Sequence, residues 1–218
     1  MNGLLRLALP LAATLALATP ATAQFSNPET PAKEVYNTAP LRPPAGARVA
    51  IVEFEDLECP DCAHANPVLL EAAERYHVSL VRHDFPLPLP SHIWAFQAAV
   101  DARWFDTQSQ TLGDQFRDAV FAAQPTILNQ DDLQRFATRF AEQHQLRFPA
   151  VADPDGKLAE LVKADVALGR EVGIRHTPTI WVVTNRKSSP PFVEVVDGTR
   201  LFSLIEEALH ETAPASRR

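Results

Sequence analysis

The sequence predicts an α/β fold: a central mixed sheet with flanking helices, carrying a block of helices inserted at its middle. Three observations predict it. Strand, helix and strand signals follow one another from Val49 to Val81. The stretch from about residue 91 to 172 reads almost wholly as helix. Strand signals then resume at Thr179 and close with a last helix.

The chain opens with Arg6 and an apolar run, Leu7 to Ala18, followed by the small-x-small pattern Ala21-Thr22-Ala23. That order predicts a cleaved signal peptide over residues 1–23, with Gln24 as the new N-terminus. The run is too short for a membrane-spanning helix, and Pro10 interrupts it. Export to the periplasm or another extracytoplasmic space follows. Residues 24–47 hold Pro28, Pro31, Pro40, Pro43 and Pro44 and read as an extended leader. Val49 to Phe54 is rich in β-branched residues and predicts the first strand. Val68, Leu69, Ala72, Ala73 and Tyr76 recur at helical spacing, and Val78 to Val81 is a second strand ended by Pro86. A right-handed βαβ unit puts these two strands parallel.

In the helical block, Ser91 is expected to cap a helix through Val100 and Trp104, and Phe116, Val120 and Phe121 mark the next. Asn129 precedes an amphipathic helix with Asp131 and Asp132 in its first turn. Asp153 precedes another, which Gly173 should stop. Strands follow at Thr179 to Val183 and Phe192 to Val196, then a helix around Leu201 to Leu209. The first two strands need the last two to complete one sheet, so residues 48–213 form one domain and about 91–172 its insertion.

The chain has 218 residues and a formal net charge of −7, with no basic block, which argues against nucleic acid. Its two cysteines, Cys59 and Cys62, carry the chemistry. A bridge across two residues closes too small a loop to be a useful staple, so thiol exchange explains the pair better than stability does. Cys59 falls where the first strand gives way to a helix, and Pro60 suits the first turn. Unpaired N–H groups and the helix dipole there favour a thiolate. Cys59 is expected to be the exposed attacking thiol and Cys62 the more buried resolving thiol. The same spacing also serves zinc sites, which would recruit His64; His77, His83, His92 and His176 are scattered along the chain. Glu53 and Glu55 share a face under strict alternation, so burying one and exposing the other would need a bulge between them.

Four features fall together between about residues 47 and 212: Cys59-Pro60-Asp61-Cys62 opening a helix, Glu53 six residues earlier, Thr177-Pro178 before the third strand, and His83-Asp84-Phe85-Pro86-Leu87 leading into the insertion. Together they resemble the thioredoxin superfamily, in particular its DsbA-like branch of exported thiol–disulfide oxidoreductases. The resemblance implies a thioredoxin fold, Cys59 and Cys62 as catalytic pair, and Glu53 as the buried acid that serves proton transfer to Cys62. It implies a cis Pro178 lying against the active disulfide. It makes Pro60, Asp61, Thr177 and Pro178 substrate-binding residues, with Glu58 and His176 at the rim.

The expected function is dithiol–disulfide exchange on exported proteins that carry cysteines, in the oxidase direction. The redox-active Cys59–Cys62 disulfide is the only cofactor, with no metal, and the chain is expected to be a monomer. An oxidant must be reoxidised, and the resemblance implies a membrane quinone-linked partner of the DsbB or vitamin K epoxide reductase type. Asp61 stands between the cysteines, and Glu55, Asp56 and Glu58 add carboxylates nearby, which would disfavour the thiolate and weaken the oxidant. The helix N-terminus pulls the other way. A disulfide reductase or isomerase, an exported metallochaperone using the Cys pair, and a binding module that kept the fold are the rival readings.

Overall fold

The computed structural model describes residues 41–186 and 192–213. The expected signal peptide and the leader up to residue 40 lie outside the described residues. Strand β1 (Val49–Glu55), helix α1 (Pro60–Tyr76) and strand β2 (Ser79–Asp84) come first. Helices α2 (Ala95–Gln108), α3 (Gln110–Ala123), α4 (Gln130–Gln143) and α5 (Lys157–Val172) follow, then β3 (Thr179–Thr184), β4 (Phe192–Glu194) and α6 (Leu201–Glu211). The sheet order is β2-β1-β3-β4, with β1 parallel to β2 and antiparallel to β3, and β4 antiparallel to β3. This is the expected mixed sheet with its helical block between β2 and β3. No helix among the described residues is long and apolar enough to cross a membrane.

Every residue of β1 is buried, because helices cover both faces of the strand. On one face Val49 and Ile51 meet Ala65, Leu69 and Ala72 of α1 and Leu204 and Ile205 of α6. On the other, Ala50, Val52 and Phe54 pack with Trp181, Phe85 and Val172. Leu41, inside the segment expected as leader, is fully buried in this second core. Gly169 of α5 lies so close to Phe85 that a Cβ there would sit 2.5 Å from its ring. The insertion has its own core around Phe105, Phe116, Phe140 and Phe148, with the Phe105 and Phe116 rings stacked at 4.4 Å. Leu57, Cys59 and Cys62 belong to that cluster, so the cysteines sit on the seam between sheet and insertion.

One expectation is corrected here, and one alternative is resolved. Ser91 does not cap α2; the helix starts at Ala95, and the N–H groups of Trp94 and Ala95 donate to the Glu58 carboxylate at 2.7 and 2.8 Å. An anion delivered from the active-site loop thus does the work of a local cap. Glu53 and Glu55 are both buried, and the pairing of β1 with β2 and β3 runs without a bulge through Glu53 and Phe54. Buried arginines, rather than a kink, accommodate the second carboxylate. Asn129 does cap α4, accepting from the Asp132 N–H, and Gly173 ends α5 in the left-handed region at φ 89°.

Candidate active site

Cys59 is the N-cap residue of α1, with extended backbone (φ −81°, ψ 120°), and Pro60 fills the first helical position. One turn into the helix, Cys62 is fully buried in the core cluster of the insertion. Both are free thiols. Cys59 retains 6% of its surface and Cys62 none, so the expected order holds, although Cys59 is less exposed than the sequence suggests. Cys59 Sγ donates to the Thr177 carbonyl at 3.3 Å, and the Asp56 N–H donates to Cys62 Sγ at 3.5 Å.

The two thiols are pushed apart in acidity. Cys59 is lowered to about 6, foremost by the hydrogen bond from the Cys62 thiol, against the opposing effect of its burial. The Thr177 side chain and the N–H groups of Cys62 and Asp61 lower it further. The buried Thr177 hydroxyl oxygen has no hydrogen-bond partner among the described residues. Burial first, then the neighbouring Cys59 and Glu53, pushes Cys62 well above the ordinary thiol value. One sulfur is therefore set to be a thiolate at neutral pH and the other a thiol.

The acidic residues around Cys59 do not act as a negative cloud. The Asp56 carboxylate accepts from the Glu58 N–H at 2.8 Å, the Leu87 N–H at 2.8 Å and His92 Nδ1 at 2.6 Å. Glu58 holds the start of α2, and Glu55 lies between Arg82 and Arg117 at 3.6 and 3.3 Å. Asp61 is exposed in the first turn of α1. Of the two opposing influences that the sequence sets on Cys59, the donors at the helix start prevail: three of the four carboxylates are turned to other partners. Glu58→Ala should cost about 0.5–2 kcal/mol in urea unfolding through loss of the α2 cap. It should leave the pH profile of Cys59 alkylation in place, since Glu58 touches neither sulfur.

Of the remaining candidates, Glu53 is fully buried on the sheet face that meets α1, and it acts electrostatically on Cys62. The Thr177–Pro178 bond is cis, and both residues are buried beside Cys59. Pro60 and Asp61 are exposed at the helix start, and Pro60 borders a groove of about 700 Å³ with Glu58, His64, Trp94, Gln124 and Ile127. His64 is exposed, whereas His83 pairs with Asp165 and His92 with Asp56. Among the described residues no group of three or more His, Cys, Asp or Glu side chains is placed to hold a metal ion.

Sequence reasoning missed Gln124 and Arg82. Gln124 Nε2 donates to the carbonyls of Leu57 and Cys59 at 2.8 and 3.0 Å, fixing the backbone that carries the attacking sulfur. It acts across 65 residues, so no local pattern marks it. Arg82 did leave a signal, as a basic residue in the middle of a strand that stands in register beside Glu53.

A family model described as Thioredoxin matches residues 44–194. Among solved structures, alpha-DsbA1 of Wolbachia pipientis is similar with a TM-score of 0.63 at 18% identity, over 90% of this chain and 95% of that one. DsbA2 of Pseudomonas aeruginosa gives a TM-score of 0.56 at 20% identity, over 93% of this chain and 100% of that one. ScsC of Proteus mirabilis gives 0.59 at 16% identity, over 77% and 70%. No curated protein matches the sequence.

Proposed function

The chain belongs to the thioredoxin family, and from that premise we propose that it is a dithiol–disulfide oxidoreductase that oxidises cysteine-bearing proteins outside the cytosol. The observation that carries this reading is the placement of Cys59 as N-cap of α1, ringed by donors, with Cys62 buried one turn behind it. In the oxidised protein a substrate thiolate attacks Cys59 Sγ, breaking the Cys59–Cys62 bond and releasing Cys62 as a thiolate that takes up a proton. A second substrate thiolate then attacks the substrate sulfur of the mixed disulfide, forming the substrate disulfide and releasing Cys59 as a thiolate. Two electrons pass from substrate to protein. Because donors stabilise that final thiolate, they stabilise the reduced protein and make the disulfide the stronger oxidant, which supports the oxidase direction. The N-terminal apolar run supports export. Reoxidation by a membrane quinone-linked partner of the DsbB or vitamin K epoxide reductase type completes the cycle, with the protein acting as a monomer.

The test is the reduction potential as a function of pH. A tenfold change in a two-electron equilibrium is about 30 mV, so the potential should fall about 59 mV per pH unit where reduction takes up two protons and about 30 mV where it takes up one. The break is expected at about pH 6, where reduced Cys59 loses its proton. At neutral pH the value should lie nearer about −120 mV than about −270 mV. A slope of 59 mV through pH 8, or a potential at the reducing end, would overturn the oxidase direction in favour of a reductase.

A further inference from the structure

Two carboxylates are buried side by side beneath the cysteines, and the exchange reaction uses only one. Val49, Ile51, Glu53 and Glu55 alternate onto the sheet face that α1 covers. Glu53 stands in register with Arg82 on β2 and Ile180 on β3. Arg82 reaches toward α1 and α3, donating to Asn66 at 2.6 Å and to Asp118 at 2.7 Å, and pairs with Glu55 at 3.6 Å. Arg117 of α3 pairs with Glu55 at 3.3 Å. Among the described residues Glu53 receives no such partner: neither oxygen accepts a hydrogen bond from any donor group, and no basic side chain pairs with it within 4.0 Å. A fully buried carboxylate in that setting is too costly to remain charged.

We propose that Glu53 and Glu55 hold a single proton between them, and that Glu55 is a positioning residue, fixed as the ionised partner by Arg82 and Arg117 so that the proton rests on Glu53 beside Cys62. This rests on the exchange reaction proposed above. When substrate attacks Cys59, the Cys62 thiolate takes the proton from Glu53, and the two carboxylates are left charged against the two arginines. When Cys59 is reoxidised through a mixed disulfide, Glu53 takes the same proton back from Cys62, whose thiolate then attacks Cys59 Sγ. The proton passes between Glu53 and Cys62 within each half-reaction. Between the half-reactions Glu53 exchanges its proton with solvent, so that reduction takes up one proton overall above about pH 6. Burial raises both carboxyls above the usual range, Glu55 to about 7, with the neighbouring Glu55 the next cause for Glu53. The remaining charges on this cluster are Asp84 on β2, Arg103 and Asp106 on α2, and Asp114 and Asp118 on α3.

The test is carbon NMR titration of the two carboxyls in the oxidised protein, where no thiol titrates. In wild type both signals should move together in each step, as they do for a shared proton. In Glu55→Gln, Glu53 should titrate lower by about one unit or more. In Glu53→Gln, which keeps every ion pair, Glu55 should fall likewise. Glu55→Asp should retain the coupling. The rate at which a small dithiol reduces the protein at pH 7.5 should drop up to about tenfold in Glu55→Gln and recover as pH falls, since Glu53 then regains its proton. Independent titrations in wild type, or an unmoved Glu53 in Glu55→Gln, would overturn the proposal while leaving the exchange reaction standing. A wild-type protein that exchanges no disulfides would overturn that reaction instead, whatever the titrations show.

Discussion

Replacing Cys62 with alanine is expected to abolish turnover and to leave substrates held on Cys59 as stable mixed disulfides. The variant has no second sulfur to close the internal disulfide, so it carries no oxidising equivalent of its own. The mixed disulfide forms when the Cys59 thiolate attacks a disulfide of an added, already oxidised substrate protein and releases that substrate's other sulfur as a thiolate. Nothing within the variant can resolve the bond at Cys59. The trapped species should be visible by mass spectrometry under non-reducing conditions. Cys59→Ser should trap nothing, because Cys62 has no exposed surface. Alkylation gives a second readout. In the reduced wild type, Cys59 should react with iodoacetamide at a rate that rises through about pH 6. In Cys62→Ala that midpoint should move upward, because the Cys62 thiol is the foremost donor to Cys59. An unmoved midpoint would shift the credit to the Thr177 side chain and the N–H groups of the helix. Comparable alkylation of Cys62 in the wild type would reverse the assignment of roles.

The parts of the site legible in the sequence are those set by neighbours in the chain. Cys59 at the start of α1 follows from a strand ending at Glu55 and a proline at the first helical position, both local signals. Asn129 and Gly173 were readable for the same reason, because caps work within one turn. What the sequence concealed is long-range. Asp56, Glu58 and Glu55 look like one acidic cluster around Cys59, yet they meet His92, the start of α2, and Arg117. Those partners lie 36 to 62 residues away in the chain, where spacing carries no information. The β1 alternation was right that Glu53 and Glu55 share a face, but it could not show that α3 brings Arg117 over Glu55, which lets both be buried. The groove beside Pro60 was equally hidden, since its walls come from the start of α1, the loop before α2, the end of α3 and the turn after it.

Arg117→Met is expected to destabilise the protein by about 3–5 kcal/mol at pH 8, the range for removing one partner from a buried ionic cluster. Methionine keeps much of the volume, so the loss is one of charge rather than packing. Arg117 bridges three carboxylates: Glu55 at 3.3 Å, Asp84 at 3.3 Å and Asp106 at 2.9 Å. Asp84 and Asp106 keep Arg103 at 2.6 and 3.5 Å, and Glu55 keeps Arg82 at 3.6 Å. Glu55 is the group whose charge state then decides the cost. Burial raises its folded pKa to about 7, above the unfolded value, so its contribution to stability is full below about pH 4.3 and is lost as pH rises through 7. Arg117 is one of the two charges that ease this ionisation. Without it the folded pKa climbs further, and the penalty for holding Glu55 buried grows with pH. Urea unfolding of the variant and the wild type at pH 5 and pH 8 should therefore show a smaller deficit at pH 5. An equal deficit at both would place the cost on Asp84 and Asp106 instead. A deficit below about 1 kcal/mol at pH 8, the scale of an exposed pair, would mean that Arg82 and Arg103 alone hold the cluster.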